Sequence, residues 1–287
     1  QIMSYYTHEN VIKFHGVACD NKPILVVMEF CPGGDLQTHL QKRGKDISVK
    51  EKVLYCYEAS IGMSYLHNKK CVHRDLAARN CLIAANGLIK IADFGLSKMR
   101  DEPAEKSERE NESNAQIPLR WMAPESIKKP HPSSSRSDVW SFGVMIYEIF
   151  NNGGKPWPDD ENKLIAHNIR RARMPKLPEK TPSSVVELTQ KIWVLEPEKR
   201  PTMKDLFIKL LDIYKRDPFD SPEVLVLNQI SGVHRKVLLM LDETESEDSG
   251  LTGCIEDGAR KKLPRIRASR SRGKSMHEKR RPHGADE

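Results

Sequence analysis

Paired cysteines, long apolar runs and internal repeats are missing from this chain. Its six cysteines form no C-x-x-C pair and show no metal-ligand spacing. The cysteines inside predicted elements are Cys31, Cys56, Cys71 and Cys81. We therefore expect buried free thiols in a reducing compartment. No apolar run approaches the ~20 residues that a membrane-spanning helix needs, so the sequence predicts no transmembrane segment in this chain.

Positive charge is concentrated at one end of the chain. Residues 259–287 hold 11 Lys/Arg and 3 Asp/Glu, a net of +8 against +7 for the whole chain, which leaves −1 for the remainder. The sequence therefore predicts a globular domain over 1–216, a weakly ordered extension over 217–241, and a disordered tail over 242–287 that is first acidic and then basic. We expect weak polyanion binding by the basic part. The alternatives are a merely solvated tail and a localisation signal at 279–281.

The hydrophobic pattern predicts strands early and helices late. The run Ile24–Met28 is typical of a buried strand, and the nearly all-round apolar stretch from Val139 to Phe150 is typical of a buried helix. Local signals mark a helix N-cap at Asp35, a capping box at Ser48–Glu51 and a hairpin turn at Asn86–Gly87. This order predicts an α+β fold.

Three short motifs carry the chemistry. His73–Asn80 reads HRDLAARN, Asp93–Gly95 reads DFG, and Ala123–Glu125 reads APE. In this order and spacing they resemble the protein-kinase signature. The resemblance implies that Asp75 accepts the proton of a substrate hydroxyl, and that Asn80 and Asp93 hold Mg²⁺ against the phosphates of ATP.

The residues around these motifs resemble the tyrosine-kinase branch of the family, and most closely the cytoplasmic Fes/Fer type. Ala77 stands where Ser/Thr kinases have a Lys, Arg79 follows two positions later, and Pro118–Met122 precedes APE. A phenol reaches farther from its backbone than a Ser hydroxyl, so its docking platform must lie farther from the catalytic Asp. The resemblance implies a two-lobe fold, protein substrates with tyrosine, a cytoplasmic location and a catalytic role for Arg79, which can pair with Asp75.

The same resemblance assigns an adenine pocket. Met28 is the gatekeeper, the Glu29 carbonyl and the Cys31 amide bind the base, and Leu82 forms the floor of the pocket. It also assigns two structural contacts. Asp138 braces the catalytic loop, and Arg200 pairs with Glu125.

Two departures from the family pattern affect these expectations. The sequence contains no Gly-rich loop and no phosphate-binding strand Lys before the motifs, so we expect mostly the helical C-lobe with a remnant of the N-lobe sheet. We expect such a truncated fragment to be inactive alone. The polar segment Lys98–Gln116 is placed as an activation loop, yet no Tyr lies between Asp93 and Glu125. The alternative to an enzyme is a pseudokinase that serves as a protein-interaction module.

Overall fold

The computed structural model describes residues 6–20, 22–93, 118–128, 131–216 and 225–235, together with the backbone of 98–99. All of the described residues belong to one compact unit, residues 1–237, and residues 238–287 lie outside the described residues. The predictions of a disordered tail over 242–287 and of an activation loop over 98–116 therefore concern residues that lie outside the description, apart from 98–99.

The strands of the described residues form three small antiparallel pairs. The first pair is β1 (Phe14–Ala18) with β2 (Leu25–Met28), the second β3 (Cys71–Val72) with β6 (Lys98–Met99), and the third β4 (Cys81–Ile83) with β5 (Ile89–Ile91). In the third pair Ile83 lies opposite Ile89 and Cys81 opposite Ile91. This short hairpin leads from the catalytic loop to the DFG motif.

Helices form most of the regular secondary structure in the described residues. They are α1 (Leu36–Arg43), α2 (Val49–Asn68), α3 (Ser135–Phe150), α4 (Asn162–Ile169), α5 (Ser183–Ile192) and α6 (Met203–Arg216). Single turns of 3₁₀ helix occur at Ala78–Asn80, Leu119–Trp121, Pro124–Ile127, Pro197–Lys199 and Val226–Gln229. The small sheets followed by a helical bundle confirm the predicted α+β, kinase-like fold.

The local signals in the sequence locate the element ends. The Asp35 side chain accepts from the Thr38 amide at 2.8 Å and caps α1. The Ser48 hydroxyl accepts from the Glu51 amide at 3.1 Å and caps α2. The turn at Asn86–Gly87 closes the β4–β5 hairpin, with Gly87 at φ +73°. The N-cap at Asp35 and the hairpin turn are confirmed, because each depends only on neighbours in sequence, while the capping box at Ser48–Glu51 forms from the Ser48 side only.

The core lies between α2, α3 and α6. The apolar helix α3 is buried on nearly all sides, as its sequence predicted, and Trp140, Phe142 and Ile146 are fully inaccessible. Burial of side chains of this kind contributes roughly 1.5–3 kcal/mol each. The helix therefore provides a rigid centre from which polar side chains can hold the catalytic loop.

The predicted burial of the strand at Ile24–Met28 is wrong. β2 forms, but its side chains are about half exposed, from 46% at Met28 to 56% at Leu25. Within the described residues β2 pairs only with β1, and no second layer covers the pair. A continuous apolar run predicts burial only when other elements cover both faces of the sheet.

The cysteines of the described part are thiols rather than disulfides, as expected. Cys56, Cys71 and Cys81 are buried, Cys31 is half-buried, and Cys19 is exposed. The prediction of burial is thus correct for three of the four cysteines that it named. Among the described helices, none has both the length and the apolar character to cross a bilayer.

Candidate active site

Asp138 holds the catalytic loop in place from the first turn of α3. Its carboxylate is 1% exposed and accepts from the backbone amides of His73 and Arg74 at 2.8 and 2.9 Å. The His67 ring nitrogen lies 3.0 Å from the same carboxylate. Because α3 is fixed in the core, this carboxylate fixes the loop backbone. The predicted bracing role of Asp138 is confirmed.

His73 joins the catalytic loop to Ala92, which lies between β5 and Asp93. Its buried ring donates from Nε2 to the Ala92 carbonyl at 2.9 Å. Its Nδ1 then accepts from the Asp75 amide at 3.3 Å. The Ala92 amide donates to the Asn80 carbonyl at 2.9 Å, which makes a second link between loop and strand. These bonds hold together the backbone segments that carry the predicted site residues Asp75, Asn80 and Asp93.

Two neighbours orient the Asp75 carboxylate. The Arg79 guanidinium forms an ion pair with Oδ1, as the sequence predicted. The Asn80 amide nitrogen donates to Oδ2 at 2.9 Å and to the Asp75 carbonyl at 2.7 Å. Charge-assisted bonds of this kind hold a carboxylate in a single orientation. Asp75, Arg79 and Asn80 therefore form one unit, and this unit can accept a proton.

Asn80 and Asp93 provide oxygen atoms suited to a hard cation. Because the Asn80 nitrogen faces Asp75, its Oδ1 faces the other way, as a metal ligand requires. Asp93 is exposed, adopts φ +57° and follows the end of β5 by two residues. The described residues include no group of three or more His, Cys, Asp or Glu that could enclose a metal. An amide and a carboxylate suit Mg²⁺ that is shared with phosphate oxygens, so the residues fit the expected cofactor.

Glu148 is a buried acid at the site that the sequence analysis missed. Its Oε2 accepts from the Ala78 amide and from the Trp121 indole nitrogen, each at 3.0 Å. Burial raises the pKa of Glu148 to about 7, although these bonds and the Arg79 charge oppose the rise. Its Oε1 has no hydrogen-bond partner among the described residues. A lone Glu in a continuous apolar helix was the signal that could have revealed it.

The segment just before the APE motif contacts this acid and the catalytic loop through Trp121. The Arg79 guanidinium lies 4.4 Å from the centre of the Trp121 ring, within cation–π range. Arg200 has a fully buried side chain and binds both Glu125 oxygens at 2.7 and 2.8 Å. The predicted Arg200–Glu125 pair is confirmed. Together these contacts place a platform, from Pro118 onward, beside the catalytic loop.

The adenine residues of the prediction lie on the segment after β2 and on β4. The Glu29 amide donates to the Lys13 carbonyl at 2.8 Å, and its carboxylate pairs with Lys90 at 3.1 Å. The Cys31 carbonyl accepts from the Gly34 amide at 3.2 Å. These bonds use atoms other than the Glu29 carbonyl and the Cys31 amide, the two groups assigned to the base.

The two ends of the predicted adenine pocket differ in their surroundings. Leu82 packs against the core, and a β-bridge with Asp35 ties it to the segment after β2. Met28, by contrast, is 46% exposed. Burial, the largest cause, and the neighbouring Glu29 charge raise the pKa of the Cys31 thiol to about 11. This thiol is therefore protonated near neutral pH.

Comparison with known proteins identifies the family. A family model described as protein tyrosine and serine/threonine kinase matches residues 1–210, so the chain belongs to that family. Mouse tyrosine-protein kinase Fer is 38% identical over 215 residues, which cover 75% of this chain and 26% of Fer. Fer-related kinase 1 of Caenorhabditis elegans is 36% identical over 221 residues, covering 75% and 53%. The resemblance to Fes/Fer-type tyrosine kinases is thereby confirmed.

A third relative bears on the choice between enzyme and pseudokinase. The inactive tyrosine-protein kinase kin-32 of Caenorhabditis elegans is 36% identical over 213 residues, covering 74% of this chain and 24% of its own length. The chain spans about a quarter of the length of this relative and of mouse Fer.

Proposed function

We propose that this chain is the catalytic part of a protein tyrosine kinase that uses ATP and Mg²⁺. The observation that carries the proposal is the Asp75 carboxylate, which Arg79 and Asn80 hold in a loop that His73 ties to Ala92, the residue before Asp93. Phosphoryl transfer depends on positioning and charge stabilisation more than on covalent catalysis. Bound Mg²⁺ would neutralise charge on the phosphates, with Asn80 and Asp93 as its protein ligands.

In this proposal each residue of the site has a separate role in the reaction. Asp75 accepts the proton of the attacking hydroxyl, and its bonds to Arg79 and Asn80 keep the carboxylate pointed at that hydroxyl. Met28, Glu29, Cys31 and Leu82 bind the adenine. A positioned proton acceptor is worth roughly 10²–10⁴-fold in rate.

The preference for tyrosine over serine is supported by the platform. Ala77 is fully buried and brings no charge toward the phosphate, while Arg79 stacks on Trp121. This arrangement leaves the docking surface of 118–122 as the place where a long phenolic side chain would lie. The relatives named as tyrosine kinases support the same preference.

Phosphoamino-acid analysis tests the proposal. The longest translation product that contains this sequence is incubated with labelled ATP, Mg²⁺ and a mixed peptide pool, beside its Asp75→Asn variant. We expect phosphotyrosine from the first and at least a hundredfold less from the second. A product dominated by phosphoserine would contradict the tyrosine preference. The 287-residue chain alone should transfer little, because it contains neither a Gly-rich loop nor a strand Lys.

The second candidate function is a pseudokinase that binds proteins without phosphoryl transfer. The observations that favour it are the missing phosphate-binding motifs and the relative named as inactive. The intact Asp75, Asn80 and Asp93 favour the enzyme instead. If every translation product binds nucleotide or peptide but transfers no label, the pseudokinase is the correct function.

We also propose that the basic part of the tail, residues 259–282, binds polyanions. It is rich in Lys and Arg and contains no aromatic residue. Without stacking platforms for bases, such a segment recognises charge alone.

A further inference from the structure

Two buried carboxylates on one face of α2 require partners. Glu51 and Glu58 are 1% and 3% exposed, and seven residues separate them, which is close to two helical turns. Burial raises the pKa of Glu58, which means that its surroundings disfavour the ionised form. Its Oε2 accepts from the Ile89 amide of β5 at 2.9 Å. A buried carboxylate with neither a cation nor enough hydrogen-bond donors beside it would be strongly destabilising.

The missing partners come from residues 225–235, which we call the C-terminal strap. The Val226 and Leu227 amides donate to the Glu51 carboxylate at 3.0 and 3.2 Å. Arg235 forms a buried ion pair with Glu58. The strap also adds Val226, Leu227 and Val233 to the hydrophobic core. It is therefore packed into the domain and is more than a surface extension.

The strap also holds the tip of the β4–β5 hairpin. Arg235 Nη1 donates to the Gly87 carbonyl at 3.0 Å, and the His234 amide donates to the Ala85 carbonyl at 2.8 Å. The Asn228 side chain fixes the Arg235 backbone, because it accepts from the amide at 2.7 Å and donates to the carbonyl at 3.0 Å. Arg235 is thus fixed on both its backbone and its side chain.

The base of the same hairpin carries the proposed metal ligands. Asn80 comes directly before β4, and Asp93 follows β5 by two residues. Arg235 acts at the opposite end, through the Gly87 carbonyl and through Glu58, which holds the first residue of β5. Each strand is only three residues long. A displacement of β5 at Ile89 therefore moves the backbone that leads to Asp93.

The strap lies beyond the kinase match, whereas its acceptors lie inside it. The family model ends at residue 210, and Glu51, Gly87 and Glu58 all fall within the match. We propose that Arg235 is a positioning residue, which sets the β4–β5 hairpin and through it the Asn80 and Asp93 ligands. This inference rests on the proposed function only for the metal-binding role of those two residues.

Hydrogen exchange tests whether Arg235 holds the β4–β5 hairpin in place, and this test needs no ligand. In the 287-residue chain, Arg235→Met alone leaves Glu58 buried and unpaired and can unfold the domain, so the main variant is Glu58→Gln/Arg235→Met. We expect amides of residues 89–92 to exchange at least tenfold faster, while those of 139–149 in α3 keep their rates. Arg216→Met removes an exposed arginine that pairs with Asp212, and it should change neither region. Unchanged exchange at 89–92, or equal acceleration in α3, would overturn the proposal.

Metal binding separates positioning from a merely structural role. Mn²⁺ affinity is measured by electron paramagnetic resonance with saturating ADP. We expect about tenfold weaker Mn²⁺ binding in the double variant and partial recovery in Arg235→Lys, which restores the charge but not the two-pronged contact. Faster exchange at 89–92 with unchanged Mn²⁺ affinity would overturn the positioning role.

A failure of the proposed metal site gives a different result. If no form of the chain binds Mn²⁺ with ADP, the metal role proposed for Asn80 and Asp93 fails, and so does the proposal that Arg235 positions them for the metal. The exchange result would still report the link between strap and hairpin.

Discussion

Glu148 makes the stability of the domain depend on pH. Burial raises the pKa of this carboxyl to about 7, above its unfolded value of 4.5. The folded state therefore binds the proton more tightly, so this stabilisation is fully present below pH 4.5 and is lost as the pH rises through about 7. Between about pH 5 and pH 8 the loss amounts to roughly 2–3 kcal/mol.

A Glu148→Gln variant should remove this dependence, because its side-chain oxygen can still accept from Ala78 and Trp121 without ionising. We expect its free energy of unfolding, minus that of the wild type, to rise by roughly 2–3 kcal/mol from pH 5 to pH 8. Urea unfolding at several pH values measures this difference, in which the titration of all other groups cancels. A difference independent of pH would show that Glu148 keeps an ordinary pKa.

Asp93 offers a clean test of the proposed metal site. Its φ of +57° is tolerated by Asn better than by most residues, so Asp93→Asn removes the charge with little backbone strain. We expect kcat of the active translation product to fall by about 10²-fold or more, because a charge partner of Mg²⁺ is lost. The melting temperature should change little. Asp46→Asn, at an exposed carboxylate paired with Arg43, is the matched control and should leave kcat unchanged. Near-normal turnover of Asp93→Asn at saturating Mg²⁺ would rule out Asp93 as a ligand.

At the scale of single residues, the sequence predicted the contacts of residues that belong to recognisable motifs. It predicted the pairing of Asp75 with Arg79, and the resemblance supplied Asp138 and Arg200. It did not predict Glu148, since its partners Ala78 and Trp121 lie 70 and 27 residues away in the chain. A side chain whose role depends on distant partners leaves only an indirect trace in sequence, here one acid within an apolar helix.

At the scale of elements, the β4–β5 hairpin depends on glycine at its turn. Gly87 has φ +73°, and an added Cβ would lie 2.6 Å from the Arg235 Cβ. Gly87→Ala combines left-handed backbone strain of about 1 kcal/mol or more with displacement of the strap. We expect a loss of roughly 2–3 kcal/mol in the free energy of unfolding, measured by urea denaturation.

Gly16→Ala in β1 is the control for this prediction. An added Cβ there meets no atom within 4 Å, and the backbone is not in the left-handed region. We expect a change within about 0.5 kcal/mol. Equal effects of the two substitutions would show that the Gly87 turn and its contact with Arg235 contribute nothing specific.

The elements also show where local patterns stop being sufficient. The capping box predicted at Ser48–Glu51 forms only from the Ser48 side. The Glu51 carboxylate instead accepts from the Tyr55 hydroxyl at 2.6 Å and from the strap. For β2 the pattern predicted the strand correctly but its burial wrongly. In both cases the outcome depends on which distant element is packed alongside, and a window of neighbouring residues does not contain that information.

At the scale of the whole molecule, sequence reasoning missed a contact between two residues that lie far apart in the chain. Arg235 and Glu58 are 177 residues apart, and nothing near either residue signals the other. The segment 217–241 was expected to be a weakly ordered extension, and the buried residues 226, 227, 233 and 235 within it were not predicted. One buried arginine can thus extend a domain beyond the boundary that its family motifs suggest.

The charge distribution of the whole chain leads to a prediction for the basic tail. Residues 259–282 contain all eleven Lys/Arg of the terminal segment, so binding to a polyanion should release counterions and weaken steeply with salt. If about six phosphates are contacted, affinity should fall about 10³-fold between 50 and 200 mM salt. Titrations of the 287-residue chain against DNA, RNA and anionic vesicles should give similar slopes of affinity against salt concentration.

Two variants serve as controls for this prediction. A variant with residues 259–282 scrambled should bind equally well, and one with their Lys and Arg changed to Gln should not bind. Salt-insensitive or sequence-selective binding that the scrambled variant loses would show a folded, specific module in the tail and refute recognition by charge alone.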